Sequence, residues 1–123
     1  MHDNPEQARL RAKIRWNGMP EVRQSNQDRK RKREYDFRIW LFEYLSRHPC
    51  VDCGQKNPIV LEFDHVVEDE HNRCVTSMAQ ASVKRLLEEI AKCEVVCANC
   101  HTLRTAKRAN SLRWQMFTAA AGR

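Results

Sequence analysis

The 123-residue sequence has no uninterrupted apolar run near the roughly 18 residues that a membrane-spanning helix requires, and only three glycines. Its first twenty residues carry charges throughout and contain no apolar stretch of the signal-peptide kind. A cytoplasmic location without membrane association is therefore expected. With 41% hydrophobic and 31% charged residues, the chain is too charged for a membrane protein and too apolar and aromatic to be wholly disordered. Its length allows one domain, read as a small core with charged arms. Six cysteines in a reducing compartment read as metal ligands or buried thiols rather than disulfides.

The formal net charge is +6, from 22 Lys plus Arg against 16 Asp plus Glu, and its distribution says more than its sum. Residues 1–48 hold twelve basic and seven acidic side chains, residues 49–92 five and eight, and residues 93–123 five and one. Two basic segments flank an acidic middle. Carboxylates concentrated inside a basic protein are most simply explained by metal binding.

Residues 1–26 form a basic N-terminal arm with a short helix, broken at Asn17-Gly18-Met19-Pro20. Residues 27–47 read as one helix, polycationic at Arg29, Lys30, Arg31, Lys32 and Arg33 and amphipathic at Phe37, Trp40, Leu41, Tyr44 and Leu45. His48-Pro49 ends it. Val60 to Val67 follows the Asn57-Pro58 turn and mixes β-branched and aromatic residues, as a strand does. Ser82 is placed to cap a helix running to about Lys92, with Val83, Leu86, Leu87 and Ile90 as its apolar face. Glu94-Val95-Val96 reads as a second strand. Ala98 to Met116 reads as one final helix with Leu103, Ala106, Leu112 and Met116 turned inward, so that residues 110–123 are a helical extension of it. Trp16, Trp40 and Trp114 can anchor helices or stack on bases.

Cys50-Val51-Asp52-Cys53-Gly54 is a knuckle, because two thiolates separated by two residues can share one ion across a tight turn, and Cys97-Ala98-Asn99-Cys100 is a second. Together they offer the four soft ligands of a closed tetrahedral structural zinc, joined across the 43 residues between Cys53 and Cys97. Small domains commonly need such a staple. Cys74 and Cys93 fall outside the pattern and read as small buried hydrophobes.

The segments Leu61-Glu62-Phe63-Asp64-His65-Val66 and Cys97-Ala98-Asn99-Cys100-His101-Thr102-Leu103-Arg104-Thr105, set between and after these knuckles, resemble the HNH endonuclease family in its four-cysteine branch of small phage and bacterial members. The resemblance covers about residues 48–108, and the nuclease core it implies is residues 48–109. It implies an α+β fold, a ββα-metal finger stapled by the four-cysteine structural zinc and flanked by basic helices, in a bacterial cell or phage-infected host. It also implies a strand that ends at Asp64-His65 so that both groups face one site. There Asp64 and His101 would bind a catalytic divalent cation such as Mg2+, Mn2+ or Ni2+, His65 would act as general base, and Asn99 would hold the His-bearing loop by hydrogen bonds. Many members place that Asn nine residues before the last His, where this chain has Lys92, and others carry a further His where Thr105 stands.

The residues suit the chemistry on their own terms. Phosphodiester hydrolysis needs a proton acceptor for water and positive charge on the phosphoryl and departing 3′ oxygens, and a histidine titrates near working pH. In an ideal pleat, adjacent Asp64 and His65 would point to opposite sides. Arg104 and Lys107 are candidates for phosphate contact, and the run 29–33 suits a polyanion, so the expected partner is DNA. The expected activity is metal-dependent DNA cleavage. The alternatives are a non-catalytic zinc module that binds nucleic acid, and an accessory nuclease serving a phage packaging machine.

Overall fold

The computed structural model describes residues 4–17 and 20–122, with the side chains of residues 13–17 left aside, so His2, Lys13, Arg15 and Trp16 lie outside the described side chains. Among the described residues, five α-helices and one two-stranded antiparallel sheet make a small α+β fold: α1 (Pro5–Asn17), α2 (Pro20–Ser46), β1 (Leu61–His65), α3 (Val83–Ile90), β2 (Cys93–Cys97), α4 (Ala98–Ala109) and α5 (Leu112–Ala121). No described helix is long and apolar enough to cross a membrane.

The break expected around residues 17–20 falls between α1 and α2, but α2 begins at Pro20 rather than Gln27. Proline is favoured in a first helical turn, where its missing N–H costs no hydrogen bond, and Glu21 beside it favours the positive end of the helix dipole. The boundary expected at residues 26/27 therefore lies inside one continuous helix. The cationic half of α2 is exposed. Its C-terminal half supplies the stripe that the spacing predicts: Leu41 is buried, and Phe37, Trp40, Tyr44 and Leu45 pack against the core.

That core has two lobes. Leu41, Val75, Met78, Leu86 and Ile90 form one, under α3. Cys50, Leu61, Val95, Val96 and Cys97 form the other, around the sheet and the cysteines. Tyr44 and Phe63 belong to both, and their rings meet at a centroid distance of 5.8 Å, so a single aromatic contact joins helix α2, the strand and both lobes.

β1 and β2 pair in the register Leu61↔Cys97, Phe63↔Val95 and His65↔Cys93. Val96 in β2 is 0% exposed. Ser82 caps α3 as expected, its hydroxyl accepting from the Arg85 N–H. The apolar face of α3 is narrower than predicted: Leu86 and Ile90 are buried, whereas Val83 and Leu87 are exposed. The side chain that completes the buried face is Glu89.

The single C-terminal helix expected from Ala98 to Met116 is two helices. Asn110 adopts the left-handed conformation (φ 46°), and the Asn110 and Ser111 N–H groups close back on the Lys107 and Ala106 carbonyls, after which the Ser111 hydroxyl caps α5. The turn redirects the chain, and Leu112 and Met116 beyond it are exposed, as is Leu103 before it, while Ala106 is half-buried. Because Asn pays less than other non-glycine residues for positive φ, Asn110→Ala is expected to lower stability by about 1 kcal/mol and Asn110→Gly to leave it nearly unchanged. Thermal unfolding of the zinc-loaded variants measures both.

Candidate functional site

Cys97 is the last residue of β2 and the N-cap of α4, and its sulfur accepts from the Cys100 N–H at 3.4 Å. The second knuckle is thus built by the strand-to-helix junction itself. The first is a turn closed by Gly54 N–H on the Cys50 carbonyl (2.9 Å), with Gly54 at φ +80°, and it is fastened to the sheet by Val51 N–H on the Val95 carbonyl (3.0 Å).

The four sulfurs of Cys50, Cys53, Cys97 and Cys100 all lie within 4.8 Å of one another, and those of Cys53 and Cys97 are 3.6 Å apart. A tetrahedral zinc with bonds of about 2.3 Å spaces its sulfurs by about 3.8 Å. The cluster is therefore compatible with a structural metal ion such as zinc. Burial pushes the Cys50 thiol up, but the backbone N–H groups of Cys53, Cys97 and Asp52 outweigh it and draw that thiol down to about 6. Cys100, bonded first to the Cys97 thiol and also desolvated, is held above the ordinary range. Four thiols cannot all ionise in so small a space without a cation, which is what a metal supplies.

The two cysteines outside the cluster differ. Cys93 is half-buried, with burial raising its thiol to about 11, in keeping with a small hydrophobe. Cys74 is exposed and bonded to the Thr76 hydroxyl at 3.1 Å, contrary to expectation.

Alternation along β1 separates the remaining candidates. Glu62 and Asp64 face α4, and Phe63 and His65 face α3. Asp64, 2% exposed, receives both terminal nitrogens of Arg108 (2.7 Å each) and Nη1 of Arg104 (2.8 Å). Arg108, opposed by burial and assisted by Arg104, holds the Asp64 carboxyl down to about 2. Arg104 also grips Asp52 of the first knuckle through Nε and Nη2 (2.7 Å each) and reaches Glu94 at 3.4 Å. These bonds, Asp52 first, raise its own pKa. Arg104, a candidate for phosphate contact on sequence grounds, instead has its guanidinium engaged by three carboxylates. Lys107 is exposed.

His101, on the first turn of α4, has Nδ1 2.6 Å from Glu62 Oε2 and Nε2 3.5 Å from Asp64 Oδ1. Two ligands of one cation with bonds of about 2.1 Å lie about 3 to 3.5 Å apart, so the His101–Asp64 spacing fits a shared ion. Glu62 would then serve as the carboxylate that fixes the ligand's tautomer.

His65 does not share a face with Asp64, because the pairing of β1 with β2 stays regular up to the strand's last residue, His65, and the pleat sets the two side chains on opposite sides. Its Nε2 lies 2.8 Å from Glu89 Oε1. The free edge of β1 reunites what the pleat divides: a cleft of about 540 Å3 is lined by His65, Glu62 and His101, with Leu41 and Leu45 of α2 and the segment from Asn72 to Thr76. Asn99 is exposed on α4, and none of the hydrogen bonds described connects it to the loop after β1. That loop is held elsewhere: the Lys92 carbonyl accepts from the Val66 (2.9 Å) and Val67 (3.3 Å) N–H groups, while Lys92 Nζ binds Asp69 at 3.0 Å. Glu89, the carboxylate on His65, escapes sequence reasoning because Glu88-Glu89 in a short helix looks like a solvated pair. The available signal is its spacing, three residues from Leu86 and one before Ile90, which puts it on the buried face.

Two outcomes are expected. Elemental analysis should find about one tightly held zinc per chain, and Cys53→Ser/Cys97→Ser should abolish both zinc and cooperative unfolding, because the metal free energy is folding free energy in a domain this small. Arg104→Ala should lower stability by about 1 to 3 kcal/mol in urea titrations at constant zinc, since it leaves a buried carboxylate short of a donor.

In comparisons with known protein families, curated proteins and solved structures, nothing matches this chain.

Proposed function

We propose that this protein is a metal-dependent endonuclease of the HNH type that hydrolyses DNA phosphodiester bonds, its α+β core a ββα-metal finger stapled by zinc. The observation that carries the reading is the pair of histidines lining one cleft, each with a different ring nitrogen held by a carboxylate: His65 Nε2 by Glu89 and His101 Nδ1 by Glu62. A surface histidine needs no such partner. A cation held by Asp64 and His101 supplies positive charge for the phosphoryl and departing 3′ oxygens. His65 accepts a proton from water at its other nitrogen. The exposed cations Arg29 to Arg33 on α2, with Lys107 on α4, draw the polyanion to the cleft without reading its sequence.

A zinc-stapled module that binds nucleic acid without cutting it is the second reading. It is favoured by the two guanidiniums on Asp64, which occupy the oxygens that a catalytic cation needs.

Incubation of supercoiled plasmid with Mg2+, Mn2+ and Ni2+ separates the two. His65→Ala should retain zinc and DNA affinity while cleavage falls by roughly 100- to 10,000-fold, the usual contribution of a general base. Asp64→Asn and His101→Ala should recover partly as divalent metal is raised, because mass action offsets a weakened ligand set, whereas His65→Ala should not. Absence of cleavage by the zinc-loaded wild type under every metal gives the field to the binding module. On either reading, replacing residues 29–33 with neutral side chains should flatten the salt dependence of DNA binding by up to about 4 in log–log slope.

A further inference from the structure

Glu89 is a carboxylate 5% exposed in the last turn of α3, in a chain with little core to spare. Burying such a group is costly unless donors surround it. Three do. Oε1 lies 2.7 Å from the Arg73 backbone nitrogen and 2.8 Å from His65 Nε2, and Oε2 lies 3.2 Å from Lys92 Nζ. The Arg73 N–H and the Lys92 ammonium can only donate, and they face one oxygen each, so neither oxygen is placed to carry a proton. The Arg73 N–H above all, then His65 and Lys92, hold the Glu89 carboxyl below its ordinary range against the effect of burial.

An ionised carboxylate has no hydrogen to give, so the hydrogen in the Glu89–His65 bond belongs to the ring, on Nε2. In the neutral imidazole the lone pair is then on Nδ1. None of the hydrogen bonds described occupies Nδ1, and the side chain is 25% exposed where it lines the cleft shared with His101.

We propose that Glu89 is the positioning residue of His65: it fixes the Nε2–H tautomer and the ring orientation, and so presents Nδ1 to the cleft as the proton acceptor. The consequence for rate rests on the endonuclease reading, and the tautomer does not. In that reaction, a water O–H bond breaks and its proton passes to Nδ1 as the water oxygen bonds to phosphorus. The phosphorus–3′ oxygen bond breaks, and solvent protonates the departing oxygen. The opposite tautomer would present an N–H to the water and could accept nothing. Lys92 has its own part, since its ammonium balances Glu89 while its carbonyl holds the Val66 and Val67 N–H groups, tying the ring and the chain beyond it to one turn.

The test uses the zinc-loaded full chain, 15N-labelled at histidine, with His65 assigned by comparison with His65→Gln. At a pH raised until the ring 15N shifts stop changing, long-range 1H–15N spectra should show a protonated Nε2 and an unprotonated Nδ1. A protonated Nδ1 in the wild type overturns the proposal, whatever the nuclease activity. Glu89→Gln keeps an oxygen for the Arg73 and His65 donors and should keep the tautomer and most of the cleavage rate. Glu89→Ala should show mixed tautomers and a kcat lower by about 100-fold, with KM within about twofold. An unchanged tautomer or an unchanged kcat in a folded, zinc-loaded Glu89→Ala overturns the positioning role. If Glu89→Ala does not fold, the wild-type and Glu89→Gln spectra decide. A wild type with the expected tautomer and no cleavage under any metal removes the endonuclease reading and leaves the positioning of His65 intact.

Discussion

The convergence of four thiols where β2 runs into α4 is the constraint on which the other features depend. A two-stranded ladder of five residues a side is marginal in water, and the two apolar lobes here meet chiefly through Tyr44 and Phe63. Joining residues 50–53 to residues 97–100 fixes the register of that ladder from its Leu61↔Cys97 end and the start of α4 at the same time. His101 follows the last of these cysteines directly. Its place opposite Glu62 and Asp64 is therefore inherited from the cluster rather than from packing of its own.

From that fixed end the pleat divides the chemistry. Residues 62 and 64 are committed to α4, while residues 63 and 65 face α3, and only the unpaired edge of β1 lets His65 and His101 open on one cleft. The charges are divided in the same way. Half of the acidic middle of the sequence is internal counter-charge to cations: Asp52 and Asp64, with Glu94 from the next segment, take Arg104 and Arg108, and Asp69 and Glu89 take Lys92. The positive charge free for an external polyanion is therefore concentrated on α2 and not on the inner face of α4.

Much of this is legible in the sequence where a residue's role follows from local chemistry. The paired cysteines, the Ser82 cap, the apolar stripe from Phe37 to Leu45 and both strands need only spacing and side-chain type. What escapes depends on partners distant in the chain. Arg104 looks like a surface cation because Asp52 and Asp64 lie 52 and 40 residues away. Glu89 looks solvated for the same reason, its imidazole being 24 residues distant. The break at Asn110 carries neither Gly nor Pro to mark it, and without that break Leu103, Leu112 and Met116 fall on what looks like a buried stripe. Asn99 stands beside the clustered cysteines, which suggests a role in the loop, but the first turn of a helix directs it to solvent. The work of holding the loop passes to Lys92 and Glu89.

The two buried carboxylates beside the cleft are compensated in ways that set different limits. Glu89 is balanced by a backbone N–H, an ammonium and a ring, none of which competes for the nitrogen left at the cleft. Asp64 is balanced by two permanent cations, and Arg108 occupies Oδ1, the same oxygen that faces His101. Any ion shared by Asp64 and His101 must therefore displace or share that contact, and its affinity is set by how readily Arg108 leaves. The two arginines are unequal in this respect. Arg104 has 19% of its side chain exposed and is tied to three carboxylates, whereas Arg108 is 49% exposed and, among the described residues, forms its ion pair with Asp64. Arg108 is the more exposed of the two, and on the proposed reading a phosphate at the cleft would give it a second partner as the ion takes the first. Arg104 would stay, and with it the link from Asp64 to the cysteine knuckle that holds the strand in place.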